Sequence, residues 1–327
     1  MEVYWISSGK TEQRGPAEIP ELLQRQDGLL WVDIPEIDAE AKRVLTEAFH
    51  FHPLAVRDCS ERCHIPKLHA YPDHLLMILH APEPGPAGHI HLLELDYFAS
   101  HHYLVTVHGP INPDVPLDKA LRETRAVARR LLDGRFAPTT PAELSHAIVS
   151  MIATRMEGFV DELTRKVASL ERRVIERHHG DFQEALEEMF RVRHELLTLR
   201  TMAAACRELY ARMSALMRFL PPESQPFIED LMDHFERVRS VCDSEREFLQ
   251  GVVDFYQSRT SAKMNHAMER LALMSAVLLP LTLLSGIYGM NIIVNSETKP
   301  VELGWVLASM GVTAAAVLYW ARRQGWW

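Results

Sequence analysis

The pattern of apolar and polar positions changes character twice along the chain. Through residue 140 the apolar runs are short and bounded by Pro, Gly and His. Leu29–Ile34, His74–His80, His91–Phe98 and Tyr103–His108 read as strands, the last of them rich in β-branched residues. The Pro- and Gly-rich stretch from Ala81 to Gly88 reads as the connection between the second and third of these. Ala39–Phe49 and Leu117–Leu132 read as helices, so residues 1–140 are expected to form an α+β or α/β unit around a sheet of several strands.

From Pro141 the period becomes helical. Phe159, Leu163, Val167, Leu170 and Val174 recur at steps of three and four, the stripe of a long amphipathic helix packed in coiled-coil fashion. His178-His179-Gly180-Asp181 is expected to break it. A second helix is expected from Phe182 to Phe219, ending before Pro221-Pro222. A third begins near Pro226, and its periodicity continues through Phe255, Met264 and Met268 into an apolar run. That helix is expected to be about 60 residues long, beyond the range of an ordinary globular helix.

The apolar run carries no charge after Arg270, and from Leu271 to Tyr288 every side chain is apolar, small, Pro, Thr or Ser. About 18 such residues are enough to cross a bilayer. A second run spans Gly304–Ala321 and is followed by Arg322-Arg323-Gln324-Gly325-Trp326-Trp327. The expected organisation is an α/β domain at 1–140, a helical stalk at 141–270, a first span at 271–290, a loop at 291–303, a second span at 304–321 and a basic-aromatic tail at 322–327. Lys263 and Arg270 precede the first span, Arg322 and Arg323 follow the second, and the loop holds one Lys. By the positive-inside rule both termini are cytoplasmic. The N-terminus, MEVYWISSGK, has neither the basic nor the long apolar region of a signal peptide.

Composition sharpens this picture in two places. The net charge of −9, from 44 acidic and 35 basic residues, disfavours nucleic acid as a partner, since phosphate binding needs a basic surface. The four cysteines form no C-x-x-C pair and read as reduced thiols. No Walker-type loop, G-x-S-x-G or H-E-x-x-H motif is present, so no enzyme is expected. Cys59, Cys63 and His64 could form part of a zinc site, but with no second ligand pair at a clear spacing the 17 histidines read as ordinary surface and core residues.

The first span holds the more informative pattern. Asn265, Met268, Leu271, Ser275, Leu279, Thr282 and Gly286 follow at steps of three or four and share one helix face leading towards Asn291. Small and weakly polar residues serve helix packing in membranes. They equally suit a pore lining with polar ends and apolar rings between. Spacing leaves both readings open, and the pore requires an oligomer.

Tyr288-Gly289-Met290-Asn291, followed by a short loop, a second span and a basic-aromatic tail, resembles the signature of the CorA family of divalent-cation channels. Pro280-Leu281-Thr282 and Ser285-Gly286-Ile287 precede it in the family's order, and His52-Pro53-Leu54, Asp58, Pro66-Lys67 and Leu104–His108 are similar to its N-terminal domain. The resemblance covers essentially the whole chain. It implies a funnel-shaped homopentamer in the inner membrane whose partners are the lipid bilayer and divalent cations. Mg²⁺ would be both the transported ion and a cytoplasmic regulator, with Co²⁺ or Ni²⁺ as further cargo and no organic cofactor. Gly289, Met290 and Asn291 would form the selectivity entrance. Gly286, Thr282, Leu279, Leu271, Met268 and Asn265 would line the pore, with Met268 and Leu271 as its hydrophobic gate. Neutral amide oxygens suit a cation that sheds its waters reluctantly. The resemblance further implies a regulatory metal held by Asp230 and, from a neighbouring subunit, by Glu83 in the loop after Leu79. In the loop between the spans, Pro300-Val301-Glu302-Leu303 stands as a stretched form of the magnesium-type Met-Pro-Glu-Leu, with Glu302 as the acid at the mouth. This longer loop, with Lys299, departs from the magnesium branch and keeps two alternatives in view. One is a Zn²⁺ transporter of the ZntB kind; the other is a membrane-anchored sensor or scaffold that transports nothing.

Overall fold

The computed structural model of the chain describes residues 1–176, 182–215, 222–292 and 300–323. These divide into two compact units, Met1–Gly251 and Val252–Trp327.

The first unit is built on a seven-stranded sheet. Its strands are β1 (Glu2–Ser7), β2 (Lys10–Arg14), β3 (Leu29–Ile34), β4 (Lys67–Ala70), β5 (Leu75–Pro84), β6 (Ile90–Ala99) and β7 (Tyr103–His108). The order is β2-β1-β3-β7-β6-β5-β4. Only β3–β7 is parallel; the other pairings are antiparallel. Of the two expected kinds, α+β and α/β, the sheet is therefore of the α+β kind.

β3 and β7 sit at the centre and are buried at every position. Such strands carry apolar residues on both faces instead of alternating. The β1–β2 hairpin, which the sequence pattern did not announce, turns on Ser8 and Gly9, with φ of 51° and 74°. Two positive-φ residues make the turn whose twist matches the flanking strands.

Short helices α1 (Ile19–Leu22), α2 (Ala39–Arg43) and α3 (Pro53–Ser60) follow the early strands, and α2 runs on into a π turn at Val44–Ala48. One face of the sheet packs with α2 and α3 through Leu45, Phe51, Cys59, Leu76, Ile78, Phe98 and Val105. The Phe51 and Phe98 rings stack at 4.0 Å. The stretch expected as one helix at 117–132 is two, α4 (Leu117–Ala120) and α5 (Arg122–Leu132).

The long helices are α6 (Pro141–Glu176), α7 (Phe182–Ala215) and α8 (Gln225–Ile292). The expected break at His178–Asp181 lies outside the described residues, as do the last residues of the expected second helix, 216–219, and Pro221. The stripe Phe159, Leu163, Val167, Leu170 and Val174 is buried. On α8, Ile228, Leu231, Phe235, Val238 and Cys242 are likewise buried at steps of three and four. α7 reaches the sheet through the Tyr97 and Tyr210 hydroxyls, 3.2 Å apart.

β5 corrects the expected turn. The strand continues past Leu79 to Pro84, with Glu83 opposite His91 in β6. The physical reason lies at its other edge, where β4 pairs only as far as Ile78. Beyond that point the N–H that Pro82 and Pro84 lack has no strand to reach, and an edge tolerates proline.

In the second unit the α8 segment is followed by α9 (Pro300–Arg323). Gln225–Ile287 and Leu303–Arg323 contain windows of mean hydropathy 1.8 and 1.5, long and apolar enough to cross a membrane.

Candidate functional site

The 68 residues of α8 carry both the acid singled out at one end and the Gly289-Met290-Asn291 run at the other. At 100° per residue, Asn265, Met268, Leu271, Ser275, Leu279, Thr282 and Gly286 fall within an arc of about 120°. All seven are exposed; Met268 is 53%, Leu271 63% and Leu279 69% accessible. The half-buried residues of the same segment, Leu273, Ala276, Val277, Pro280, Leu281 and Leu284, lie on the opposite arc. The single chain therefore leaves the singled-out face uncovered along its whole length.

Local chemistry along this segment is consistent with a helix kept intact in an apolar medium. The Thr282 hydroxyl donates to the Leu278 carbonyl at 2.8 Å, which satisfies it within the helix. Pro280 lacks the N–H that would reach the Ala276 carbonyl, and the helix continues through it. A Cβ added at Gly286 or Gly289 would meet nothing within 4 Å. Met290 and Asn291 belong to the last turn of α8 and Glu302 to the first turn of α9, while their side chains lie outside the described residues. The loop stretch 293–299 and the tail residues 324–327 lie outside them too.

Asp230 stands on the part of α8 that belongs to the first unit. His146 on α6 places Nε2 2.8 Å from its Oδ2, and His234, one turn along α8, places Nε2 at 3.8 Å. His234 uses its other nitrogen, Nδ1, on Glu157 at 2.9 Å. The Asp230 side chain remains 53% accessible, so a solvated cation can reach it. The sequence pattern gave no signal for His146, which lies 84 positions from Asp230, whereas His234 stands one helical turn from it.

Glu83 sits differently. Its carboxylate is taken by Lys119 and Arg155, and Arg155 also donates to Glu123 at 3.1 Å. Burial pushes the Glu83 carboxyl up, but the hydrogen bonds and charges of Lys119 and Arg155 outweigh it and hold the group below the usual carboxylate range. Glu83, Glu123 and Arg155 border a cavity of about 360 Å³ that also takes in Arg122 and Glu162. Among the described residues no three His, Cys, Asp or Glu side chains are grouped to hold a metal ion, and Cys59, on α3, is buried.

Residues 26–323 match the family described as CorA-like Mg2+ transporter protein. The chain is 28% identical over 307 residues to YfjQ of Bacillus subtilis, covering 90% of this chain and 89% of that one. It is 26% identical over 312 residues to the cobalt/magnesium transport protein CorA of Thermotoga maritima, covering 90% of this chain and 83% of the relative. The fold is similar to that of the CorA magnesium transporter from Methanocaldococcus jannaschii, with a TM-score of 0.77 and 18% identity over 100% of this chain and 99% of that one.

Proposed function

The chain belongs to the CorA-like Mg2+ transporter family, and on that premise we propose that it forms a homopentameric channel admitting Mg²⁺ through the membrane. The observation that carries this reading is the uncovered arc of α8. Two helices in one subunit cannot enclose a path, but five copies of that arc can. Polar positions at Asn265 and Thr282 would then bracket apolar rings at Met268, Leu271 and Leu279. A hydrated cation is held through its water shell by amide and hydroxyl oxygens, and the apolar rings close by dewetting. Gly289, Met290 and Asn291 form the entrance, with Glu302 concentrating cations at its mouth. Both termini lie in the cytoplasm of an inner-membrane protein, the arrangement supported by the basic residues flanking the spans.

Asp230 is the cytoplasmic sensor in this reading. Bound Mg²⁺ holds the closed state, and its loss shifts the population towards the open one. The neutralisation of Glu83 by two cations within its own chain leaves Asp230 as the acid that carries this role. Asp230→Ala is expected to abolish inhibition of influx by Mg²⁺ on the cytoplasmic face while leaving influx at low cytoplasmic Mg²⁺ unchanged. Flux assays across oriented vesicles at graded internal Mg²⁺ check this.

The broader reading is tested by Mg²⁺ and Zn²⁺ flux compared side by side in liposomes holding the purified protein. Mg²⁺ entry is the expected result. Zn²⁺ entry without Mg²⁺ entry would assign the protein to zinc transport, and no entry of either ion from an assembled oligomer would leave a scaffold.

A further inference from the structure

The two histidines at Asp230 are more than a magnesium site needs, since Mg²⁺ is served by oxygen ligands. Asp230 and His234 are four apart on α8 and share one helix face. His146 reaches the same carboxylate oxygen from α6, with its ring against Phe227 at 5.0 Å. Among the described residues only histidines form ion pairs with Asp230, whereas Glu83 is taken by Lys119 and Arg155. That difference matters to an arriving cation. Lys and Arg meet it with charge of its own sign, but a neutral imidazole offers it a lone pair.

The hydrogen bonds fix which nitrogen of His234 faces the acid. A carboxylate only accepts, so His234 Nδ1 donates its hydrogen to Glu157 Oε1 at 2.9 Å. Neutral His234 therefore turns the lone pair of Nε2 towards Asp230 Oδ2, 3.8 Å away. Two acceptors facing each other at that distance call for positive charge between them. A proton would serve one histidine; a second imidazole converging on the same oxygen suits a metal ion. A ring N–H given to a carboxylate, with the other nitrogen left for the metal, is how ligating histidines are commonly oriented.

The spacing is close to what an ion requires. Bonds of about 2.1 Å set neighbouring ligand atoms about 3.0–3.4 Å apart around an octahedral or tetrahedral ion. The His146 and His234 Nε2 atoms stand 2.8 and 3.8 Å from Oδ2, so each needs to move by less than about 1 Å. The three do not form a finished ligand set, because His146 donates its Nε2–H to Asp230. Ligation moves that proton to Nδ1, which is the other neutral tautomer. Both histidines are 23% accessible and Asp230 is 53% accessible, so water can complete the shell of a bound ion.

We propose that His146, Asp230 and His234 form a site within one subunit for a divalent first-row transition cation, Co²⁺, Ni²⁺ or Zn²⁺, in preference to Mg²⁺. Imidazole nitrogen suits these ions, while Mg²⁺ is matched by carboxylate and water. Glu157 orients His234 without touching the ion. The effect on flux rests on the sensor reading of Asp230: cytoplasmic Co²⁺ closes the channel at lower concentration than Mg²⁺.

Calorimetric titration of the full-length protein in detergent tests the site, with Mg²⁺ alone and with Co²⁺ in excess Mg²⁺. The visible absorption of Co²⁺ reports nitrogen ligation. Wild type is expected to bind Co²⁺ about tenfold or more tighter than Mg²⁺. His146→Ala and His234→Ala are each expected to weaken Co²⁺ binding by about tenfold or more, and Glu157→Ala by about tenfold. Wild-type Co²⁺ binding no tighter than that of Mg²⁺ would overturn the proposal, as would tight binding left unchanged in both histidine variants. Tight binding lost in those variants supports the site even where flux ignores cytoplasmic Co²⁺, a result that would count against the sensor role of Asp230 alone.

Discussion

Asn291→Ala is expected to reduce Mg²⁺ uptake by about tenfold or more while the protein still assembles. Mg²⁺ holds its inner waters tightly, so the entrance must recognise a hydrated ion from outside its shell. A ring of amide oxygens does this without charge, strongly enough to bind and weakly enough to release. Losing a single hydrogen bond to a charged species costs about 1.5–3 kcal/mol, and tenfold corresponds to the lower end of that range. A methyl group in place of the amide offers the hydration shell nothing. Uptake into vesicles, normalised to oligomer reconstituted, gives the number. Unchanged uptake would remove Asn291 from the entrance.

Arg155→Ala is expected to destabilise the first unit by about 3–5 kcal/mol. The Arg155 side chain is 8% accessible and serves two acids that are as deeply placed, Glu83 at 10% and Glu123 at 5%. Removing the guanidinium leaves both carboxylates buried with one partner at most, since Lys119 reaches only Glu83. At about 2–4 °C per kcal/mol for a unit of this size, the melting temperature should fall by about 10 °C. The sign of the pH dependence follows from Glu83, which its partners hold below the usual range. Its contribution is present above the unfolded value near 4.3 and is lost as pH falls through the folded one. The gap between wild type and Arg155→Ala should therefore narrow in acid. A thermal-denaturation series from pH 7.5 to pH 3 checks both magnitude and direction, and a gap that widens in acid would contradict the assignment.

Arg155 also illustrates what could be read from sequence and what could not. The membrane-length runs, the long third helix and the strands Leu29–Ile34, His91–Phe98 and Tyr103–His108 were legible because each is a local pattern of period or length. Gly289-Met290-Asn291 was legible as a short motif in a fixed order. The β1–β2 hairpin hid because β1 is a continuous apolar run with no alternation. The extension of β5 through Pro82 and Pro84 depends on where β4 stops pairing, which no local pattern records. The partners of the charged groups were the least legible. Glu83 meets residues 36 and 72 positions away, and Glu94 meets a peptide 31 positions away. Such contacts arise when the sheet and helices come together, so an acid in a plausible loop could not be told from an acid already neutralised in a strand.

The measurement that bears most directly on the conduction path is thiol block of flux along the first span. Single cysteines would be introduced at Ser275, Thr282 and Gly286 on the uncovered arc, and at Val277, Leu281 and Leu284 on the opposite one. Mg²⁺ flux would be recorded before and after a small water-soluble thiol reagent. Block confined to Ser275→Cys, Thr282→Cys and Gly286→Cys is the expected result. Block at Val277→Cys, Leu281→Cys and Leu284→Cys with the first three unaffected would place the path on the other face and contradict the account.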